Sequence, residues 1–484
     1  MPNPEENTDE SKTQESNPQE VSASEANAPE SHPQEAKTEE SNPQPLQALT
    51  FCEERGAFLR EHLNRQKEIH VVGLGLFGGN LSLIQYLAAK GKRIILWEKK
   101  GPQDLSASWT KLSSYHDQIT CHWECEAMNL PKNELIFLSP AVPPSSEALV
   151  GIDSKNISSE IEISMLLLAK GHSRAHFVTG SVGKSTCATL WARALGVDVF
   201  GNIGKSLLDT MKPEQRKLPK ECIVEISSFQ LHYLKWAKVT PSSFLLTPVS
   251  DHHGDWHGGV EAYQAIKYDA VKAWREQGIP GFITEKDQAL SEGEDDIIIP
   301  AECMLLGGHN LENANAVREV CKRIERWSPT ARQAICSFPG LEHRLEVCSN
   351  DAFDRRYIND SKATSPGAVI EALKSIRTPC ALILQGQCQA IDYIPLLRFA
   401  QEKNSQIFLV GGMQKLHGLI ESDKGFMTCY EDLASLFEDF YPTASGDILF
   451  SPGAPSYDQY NNYEERGDHF KALVQDFLGE APEL

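Results

Sequence analysis

A glycine-rich turn carrying a lysine and two hydroxyl residues is the part of the sequence best suited to chemistry. It reads Gly180-Ser-Val-Gly-Lys-Ser-Thr186. Two glycines permit a tight turn whose backbone N–H groups face a phosphate, the lysine adds positive charge, and a hydroxyl can hold Mg²⁺. The common triphosphatase loop has a further glycine where this chain has Val178. The turn therefore predicts a compact variant of that loop, which binds a nucleotide such as ATP.

A second glycine-rich turn, Gly73-Leu-Gly-Leu-Phe-Gly78, lies between an apolar run and a helical stretch at 80–90, and Glu98 follows its last glycine by 20 positions. This spacing matches the dinucleotide-binding fingerprint. The pattern leaves three alternatives open. The turn binds nothing, it holds the phosphates of a nucleotide-bearing ligand at a helix N-terminus, or it belongs to a dinucleotide-dependent oxidoreductase.

Short apolar runs separated by helical stretches must position these turns, and this alternation indicates α/β folding on parallel sheets. The runs predict ten strands, at 69–72, 93–97, 135–138, 175–178, 222–225, 244–246, 357–358, 380–384, 406–410 and 447–450. Helices are predicted at 80–90 and 186–195, directly after the two glycine turns.

The length of 484 residues is enough for about three domains. We expect a disordered acidic tail and a lead-in helix over 1–66, and domains over 67–170, 171–336 and 337–484. The first 45 residues hold eleven acidic residues, two lysines and almost no large apolar side chain. Such a segment cannot bury enough apolar surface to offset its ordering entropy.

Composition argues against several classes of protein. The net charge of −21 disfavours nucleic-acid binding. No apolar run approaches the length needed to cross a bilayer, and the N-terminus lacks a signal peptide's basic and apolar regions. We expect a cytoplasmic monomer without stable membrane insertion. The twelve cysteines are interpreted as reduced, and a metal knuckle at Cys121 and Cys125 lacks a second Cys/His pair at zinc-site spacing.

From the phosphate-binding turn onward, a series of short phrases arrives in a recognisable order. They are Gly201-Asn-Ile-Gly204, Glu225-Ile-Ser-Ser-Phe-Gln230, Asp251-His-His253, Tyr263-Gln-Ala-Ile-Lys267, Gly308-His-Asn-Leu-Glu-Asn313, His343-Arg344, Asn359-Asp-Ser-Lys-Ala-Thr364, Ser451-Pro452, Ser456-Tyr-Asp-Gln459 and Tyr463-Glu-Glu-Arg-Gly467. In these phrases the chain resembles the Mur ligases from about residue 68 to its end, most of all the members that add D-glutamate.

The resemblance implies a three-domain enzyme, with a Rossmann-like N-terminal domain, a central P-loop ATPase-like domain and a C-terminal Rossmann-like α/β domain. It implies that ATP phosphorylates the carboxylate of UDP-N-acetylmuramoyl-L-alanine and that the amine of D-glutamate attacks the acyl phosphate. Phosphoryl transfer depends on positioning and on neutralising negative charge, which suits a lysine, backbone N–H donors and metal ligands.

The resemblance also assigns the ATP site and two Mg²⁺ sites. ATP-binding residues are Gly180, Ser181, Gly183, Lys184, Ser185, Thr186, Asn310, Asn313, Arg344 and Asp360. Metal ligands are Ser185, Thr186, Glu225, His252 and Lys267, the last as a carbamate. Catalytic residues are Lys184, Lys267, His252, Asn202 and Lys362.

The two other substrates have implied contacts as well. The UDP-substrate meets Gly75, Leu76, Phe77, Glu98, Ser139 and Asn202. The amino acid meets Lys362, Thr364, Ser456 and Tyr463.

The histidine phrase leaves the second metal ligand open between two residues. Counting back from Lys267 by the spacing of the D-glutamate ligases selects His252. The spacing of other family members, one residue shorter, selects His253.

The chain departs from the family pattern where the amino acid should bind. A lysine-bearing turn is expected after a strand of the third domain, but this chain reads Gln385-Gly-Gln-Cys-Gln389. A neutral amide cannot supply the charge-assisted hydrogen bond of a cation. Gly453-Ala-Pro455, Phe77 and Ala141 also differ from the usual residues. A ligase for another amino acid or UDP-sugar, or a non-catalytic nucleotide-binding protein, therefore remains an alternative.

Overall fold

The computed structural model describes residues 46–74, 79–203, 205–211, 217–250, 254–287, 296–421, 426–440 and 446–479. The acidic tail lies outside these ranges. So do five candidate site residues: Gly75, Leu76, Phe77, His252 and His253. Within the described ranges, no helix is both long and apolar enough to span a membrane.

The first sheet has five parallel strands in the order β3-β2-β1-β4-β5. The strands are β1 (Glu68–Val72), β2 (Arg93–Trp97), β3 (Ile119–His122), β4 (Ile136–Leu138) and β5 (Ile157–Ser158). The helices of this region are α1 (Glu53–Arg65), α2 (Gly79–Ala88), α3 (Ser106–Thr110) and α4 (Glu160–Lys170). Strand order reverses between β1 and β4, and a parallel sheet binds its ligand in the crevice at such a point.

The second sheet also has five parallel strands, in the order β10-β9-β6-β8-β7. The strands are β6 (Arg174–Thr179), β7 (Asp198–Gly201), β8 (Glu221–Glu225), β9 (Ser243–Leu246) and β10 (Gly281–Ile283). The helices are α5 (Lys184–Leu195), α6 (Ser228–Tyr233), α7 (Gly254–His257), α8 (Val260–Glu276), α9 (Thr284–Asp287), α10 (Gly308–Arg323) and α11 (Pro329–Cys336). The central strand β6 carries the phosphate-binding turn at its carboxyl end.

The third sheet has six strands in the order β11-β12-β16-β13-β14-β15, and only β11 runs antiparallel to its neighbour. The strands are β11 (Glu346–Asn350), β12 (Arg356–Asn359), β13 (Ala381–Gln385), β14 (Gln406–Val410), β15 (Met427–Tyr430) and β16 (Ile448–Gly453). The helices are α12 (Pro366–Lys374), α13 (Ile394–Glu402), α14 (Leu433–Glu438) and α15 (Tyr463–Gly479).

Short 3-10 helices join these elements at Ser113–Gln118, Glu147–Leu149, Ser154–Asn156, Leu207–Met211, Pro300–Glu302 and Gly411–Leu416. Local chemistry explains several helix starts. Ser328 and Ser365 cap α11 and α12, each followed by a proline at the first turn. Ser227 and Gln230 form a capping box on α6, which holds this helix at the end of β8.

Each sheet is covered by helices and buries apolar side chains on its faces. Phe177 and Phe244 lie on one face of the second sheet, while Trp191 of α5 lies on the other. The lead-in helix α1 packs Leu59 into the hydrophobic core of the first sheet. Arg55 of the same helix forms a buried ion pair with Glu162, with 2.7 Å between Nε and Oε1. The parallel α/β prediction is confirmed, as are all ten predicted strands and both predicted helices, with ends shifted by up to three residues.

Candidate active site

Two glycines of the phosphate-binding turn are required by its geometry. Gly180 has φ of +141° and Gly183 has φ of +82°, in the left-handed half of conformational space that disfavours a side chain. A Cβ at Gly180 would overlap Thr247 of the neighbouring strand end, and one at Gly183 would overlap the amide of Asn313. The turn leads directly into α5, so its backbone N–H groups stand at a helix N-terminus.

Lys184 is the first residue of α5 and folds back over the turn. Its Nζ donates to the carbonyl oxygen of Ser181 at 2.9 Å. Burial lowers the pKa of Lys184, the charge of Glu225 opposes this shift, and the charge of Arg344 adds to it. Ser185 and Thr186 follow in the same helical turn and are half-buried. A cation and two hydroxyls therefore surround the place where a phosphate would lie.

Glu225 ends β8, next to the strand that carries the turn, and is fully buried. One oxygen, Oε1, accepts a hydrogen bond from Asn202 Nδ2 at 2.9 Å. The other, Oε2, has no hydrogen-bond partner among the residues that the structure describes. A buried carboxylate oxygen without a partner is costly unless a ligand satisfies it, and carboxylate and hydroxyl oxygens are what Mg²⁺ prefers. These residues therefore fit a magnesium ion.

Lys267 lies on α8 with only 1% of its surface exposed. Its Nζ donates to the carbonyl oxygen of Gly180 at 2.7 Å and lies over the ring of Tyr263. Burial and the nearby charge of Lys184 lower the pKa of Lys267 to about 7. Much of this lysine is therefore a neutral amine at neutral pH, and a neutral amine is the form that reacts with CO₂ to give a carbamate.

Two candidate asparagines lie on α10, and one of them contacts the same turn. Asn313 is buried, with its side-chain oxygen against Gly183. Asn310 is also buried, and its Nδ2 donates to the carbonyl oxygen of Leu306 at 2.8 Å. The structure thus brings Asn313 to the turn, whereas the hydrogen bond of Asn310 stays at the start of its own helix.

The third sheet adds Arg344 and Asp360. Arg344 is exposed, and its charge acts on Lys184 as well as on Lys362. Asp360 is buried and accepts hydrogen bonds from Ser451 Oγ at 2.7 Å and from the backbone N–H of Leu345 at 3.2 Å. Burial outweighs these bonds and the charge of Arg344, and it raises the pKa of Asp360 to about 7.

A cavity of about 1420 Å³ lies between the first sheet and the second. It contains the sequence candidates Glu98, Ser139 and Asn202. The Glu98 carboxylate accepts from the backbone N–H groups of Leu74 at 2.7 Å and Lys100 at 3.1 Å, so it binds the chain directly after Gly73. Asn202 also bonds Glu225, and it therefore links the cavity to the phosphate-binding turn.

Sequence reasoning missed the cations of this cavity. They are Lys99, Lys100, Lys111 and Lys205. They come from separate segments around both sheets, and no short motif contains them all. Lys99 and Lys100 directly follow Glu98, the acidic residue of the fingerprint. Their position next to a predicted ligand contact could have indicated that they line the cavity.

The candidate amino-acid contacts lie at the carboxyl edge of the third sheet. Lys362 and Thr364 follow β12, Ser456 follows β16, and Tyr463 begins α15. Lys362 Nζ donates to the Tyr463 hydroxyl at 3.0 Å. Ser456 is buried, whereas Thr364 and Gln389 are exposed. The structure thus gathers these residues around adjacent strand ends.

Arg466 holds this edge together, and sequence reasoning did not select it. The side chain is fully buried on α15. It donates to Ser361 Oγ at 3.1 Å and to the carbonyl oxygens of Ser361, Gln385 and Ala454 at 2.7, 3.1 and 3.0 Å. Three loops after β12, β13 and β16 are therefore fixed to one guanidinium group.

Comparison with known proteins finds similarity to the Mur ligases. The model of the Mur ligase middle domain matches residues 178–296, which contain the phosphate-binding turn, Glu225 and Lys267. A UDP-N-acetylmuramoylalanine--D-glutamate ligase of Symbiobacterium thermophilum is 29% identical over 460 residues, covering 85% of this chain and 98% of the relative. The protein of the same name from Prochlorococcus marinus is 26% identical, covering 84% and 96%.

Over 84–85% of its length the chain is thus similar to ligases of the Mur family. A solved structure of the UDP-N-acetylmuramate-alanine ligase from Thermotoga maritima aligns with a TM-score of 0.50 at 16% identity, covering 85% of this chain and all of that one, and this likeness concerns the fold alone. The prediction of a three-domain Mur ligase architecture is confirmed.

Proposed function

We propose that this Mur ligase adds D-glutamate to UDP-N-acetylmuramoyl-L-alanine in the synthesis of peptidoglycan precursors. The γ-phosphate of ATP passes to the alanine carboxylate, giving an acyl phosphate and ADP. The D-glutamate amine then attacks the acyl carbon, an amide bond forms, phosphate leaves and the amine loses a proton. One observation carries the proposal: Asn202 lines the large cavity and also donates a hydrogen bond to Glu225 beside the phosphate-binding turn, so the two sites are adjacent.

The ATP phosphates belong at the turn between β6 and α5. The N–H groups at the start of α5 and the ammonium of Lys184 neutralise their charge, as phosphoryl transfer requires. The N–H groups of Ser181 and Val182 already donate to the carbonyl oxygen of Pro248, at 2.8 and 3.3 Å. Asn310 and Asn313 border the base from α10, and Arg344 and Asp360 approach from the third sheet. The effect of the Arg344 charge on Lys184 supports this convergence of two sheets on one nucleotide.

Two magnesium ions complete the proposal. Ser185 or Thr186 and Glu225 would hold one of them, and the unpartnered Oε2 of Glu225 supports this assignment. Lys267 as a carbamate would hold the other together with His252, with His253 as the alternative; both histidines lie outside the described residues. Bound magnesium would neutralise the charge that develops on the phosphate oxygens.

The UDP-substrate belongs in the large cavity, with its reactive carboxylate toward Asn202. Four lysines there suit a diphosphate, whose negative charge they would neutralise. Ser139 and Glu98 border this site, and Gly75, Leu76 and Phe77 would complete it. The amino acid would bind to Lys362, Thr364, Ser456 and Tyr463.

We further propose that the enzyme acts as a cytoplasmic monomer without nucleic-acid partners or stable membrane insertion. The cytoplasm supplies the ATP that the reaction consumes. The proposed domain boundaries near residues 170 and 336 fall between the three sheets.

The direct test is phosphate release by the purified protein with ATP, Mg²⁺, UDP-N-acetylmuramoyl-L-alanine and D-glutamate. We expect release to require both substrates and to match the formation of the amide product by mass spectrometry. Omission of each substrate in turn is the control. Phosphate release that ignores either substrate would contradict the proposal.

A related ligase with another amino acid is the second candidate, because Gln389 replaces the lysine expected there. A panel of amino acids in the same assay separates the two. Higher kcat/KM for an amino acid other than D-glutamate would favour the second candidate.

A change of Lys184→Ala tests whether the protein is an enzyme or only binds nucleotide. We expect turnover to fall by about 100-fold or more, because the lysine stabilises charge that develops during transfer. Thermal melting should stay close to that of the wild type, since Lys184 donates only one protein hydrogen bond that the structure describes. Undiminished turnover would remove Lys184 from the mechanism.

A further inference from the structure

The expected lysine of the amino-acid site is missing, and the place where it should stand is well defined. The loop Gly386 to Gln389 follows β13 and carries no cation. It is held by the backbone N–H of Gln387, which donates to the carbonyl oxygen of Pro455 at 2.8 Å, next to Ser456. An acidic amino acid bound at Ser456 would therefore meet this loop.

The next strand along the sheet brings a lysine to the same edge. Gln385 at the end of β13 pairs with Val410 at the end of β14, so the loops after these strands begin side by side. The loop after β14 is the 3-10 helix Gly411–Leu416, and it contains Lys415. Both loops stand at the carboxyl edge, where parallel sheets bind their ligands.

Backbone contacts fix the second loop against the first. A Cβ at Gly412 would lie 2.7 Å from the carbonyl oxygen of Gly386 and 3.3 Å from the backbone nitrogen of Cys388. The backbone N–H of Gly412 donates to Asp458 Oδ2 at 3.2 Å, beyond Ser456. Gln414 Nε2 donates to the carbonyl oxygen of Tyr430 at 2.9 Å. Lys415 therefore projects from a turn that is anchored on both sides.

Lys415 itself is exposed and forms no ion pair with any residue in the described ranges. Burial raises the pKa of the Cys388 thiol, while the charge of Lys415 lowers it. The positive charge thus reaches the loop that lacks the expected lysine.

We propose that Lys415 supplies the cation that Gln389 does not, and that it pairs with the side-chain carboxylate of an acidic amino-acid substrate. This inference rests on the proposed ligase function and deepens it. Gln389 then donates a neutral hydrogen bond, and Lys415 selects an acidic amino acid over its uncharged amide. Compared with the family pattern, the cation then lies on the loop after β14 instead of the loop after β13, at the same edge of the sheet.

The test is steady-state kinetics of Lys415→Gln with D-glutamate varied and the other substrates saturating. We expect KM for D-glutamate to rise about tenfold or more, since a charge-assisted hydrogen bond becomes a neutral one. KM for ATP should not change. The preference for D-glutamate over D-glutamine, as a ratio of kcat/KM values, should fall by the same factor.

Two further variants distinguish a specific loss of D-glutamate binding from a general loss of folding. Lys403→Gln is the matched control, because Lys403 follows α13 at the opposite edge of the sheet, and its KM for D-glutamate should equal that of the wild type. Adding Gln389→Lys to Lys415→Gln should lower KM again, because a cation returns to the same carboxylate.

Separate results would overturn the inference and the proposed function. A KM for D-glutamate that stays within twofold in Lys415→Gln overturns the role of Lys415 and leaves the ligase function intact. The role of Lys415 is also overturned, and the ligase function left intact, if the wild type accepts only amino acids with uncharged side chains. Absence of turnover with every amino acid overturns the ligase function, and the inference with it.

Discussion

Two lysines next to the phosphate-binding turn differ in how deeply they are buried and therefore in their protonation. Lys184 is half-buried beside Glu225, and its Nζ donates to Ser181. Lys267 is almost fully buried; this burial, together with the nearby positive charge of Lys184, lowers its pKa to about 7. The first therefore acts as a cation toward phosphate, whereas the second is suited to react with CO₂.

The proposed carbamate on Lys267 leads to a prediction about dissolved CO₂. Activity should fall in CO₂-depleted buffer and return on addition of bicarbonate, because the carbamate then reforms on the neutral amine. With ¹³C-bicarbonate, a carbamate carbon signal should appear in NMR spectra of the wild type and be absent from Lys267→Ala. Equal activity with and without CO₂, together with no such signal, would contradict the carbamate.

The raised pKa of Asp360 leads to a prediction about pH. Its pKa is about 7 in the folded protein against an ordinary 3.8, so between these values the folded state binds a proton that the unfolded state lacks. Stability from this group is then lost as pH rises toward 7. The Tm of Asp360→Asn relative to wild type should therefore increase from pH 5 to pH 8.

Asp447 is the control for this measurement. Burial alone would raise its pKa, but hydrogen bonds from Arg356 and Arg377 lower it overall. Its contribution is lost only in acid, as pH falls through its folded pKa. The Tm of Asp447→Asn relative to wild type should not change between pH 5 and pH 8. If Asp360→Asn behaves in the same way, the raised pKa is wrong.

At the scale of elements, the phosphate site is a strand, a turn and a helix held by neighbours distant in sequence. Thr247 of the adjacent strand end approaches Gly180, and Asn313 of α10 approaches Gly183. These approaches leave no room for side chains. The two glycines therefore provide conformational freedom and also space.

Two glycine substitutions separate the requirement for backbone conformation from the requirement for space. Gly183→Ala should lower Tm and weaken ATP binding at least tenfold, because its Cβ would collide with Asn313 as well as strain the backbone. Gly196→Ala, at the other end of α5, has φ of +67° and open space around its Cβ. It should cost about 1 kcal/mol of stability from strain and leave ATP binding unchanged. Calorimetry and thermal melting measure both, and equal ATP affinities would contradict the packing argument.

At the scale of the whole molecule, two separate sheets contribute residues to the proposed nucleotide site, and two sheets enclose one cavity. The Tyr233 hydroxyl donates to the carbonyl oxygen of Val142 at 2.6 Å, which joins α6 to the loop after β4. Arg344, near β11, acts on Lys184 by its charge. Convergence of this kind excludes water from an acyl phosphate that would otherwise hydrolyse.

Removal of the Arg344 side chain tests this convergence. Arg344→Ala should lower kcat/KM for ATP at least tenfold, because a cation is lost from the phosphate site. Affinity for the UDP-substrate should not change, since that cavity lies between the other two sheets. Arg398→Ala is the matched control, an exposed arginine on α13. Equal kcat/KM for both variants would mean that the third sheet does not act on ATP.

The sequence alone determined every interior strand of the three sheets and failed at every edge strand. Interior strands of parallel sheets are buried on both faces and read as continuous apolar runs. The six unpredicted strands, β3, β5, β7, β10, β11 and β15, all lie at sheet edges. Several of them are half-exposed, as at Ile119–His122, or very short, as at Ile157–Ser158. Their hydrophobic pattern is therefore weak.

The same division holds for the candidate site. The glycine turn by itself selected Lys184, because phosphate chemistry calls for a cation there, and the resemblance to the Mur ligases selected Glu225 and Lys267. Only the tertiary structure decided that one oxygen of Glu225 is left without a partner among the described residues and that the pKa of Lys267 is lowered to about 7. It also placed Lys415 beside the loop that lacks a lysine. Burial, charge and strand register arise from contacts between distant segments, and a local sequence pattern does not contain them.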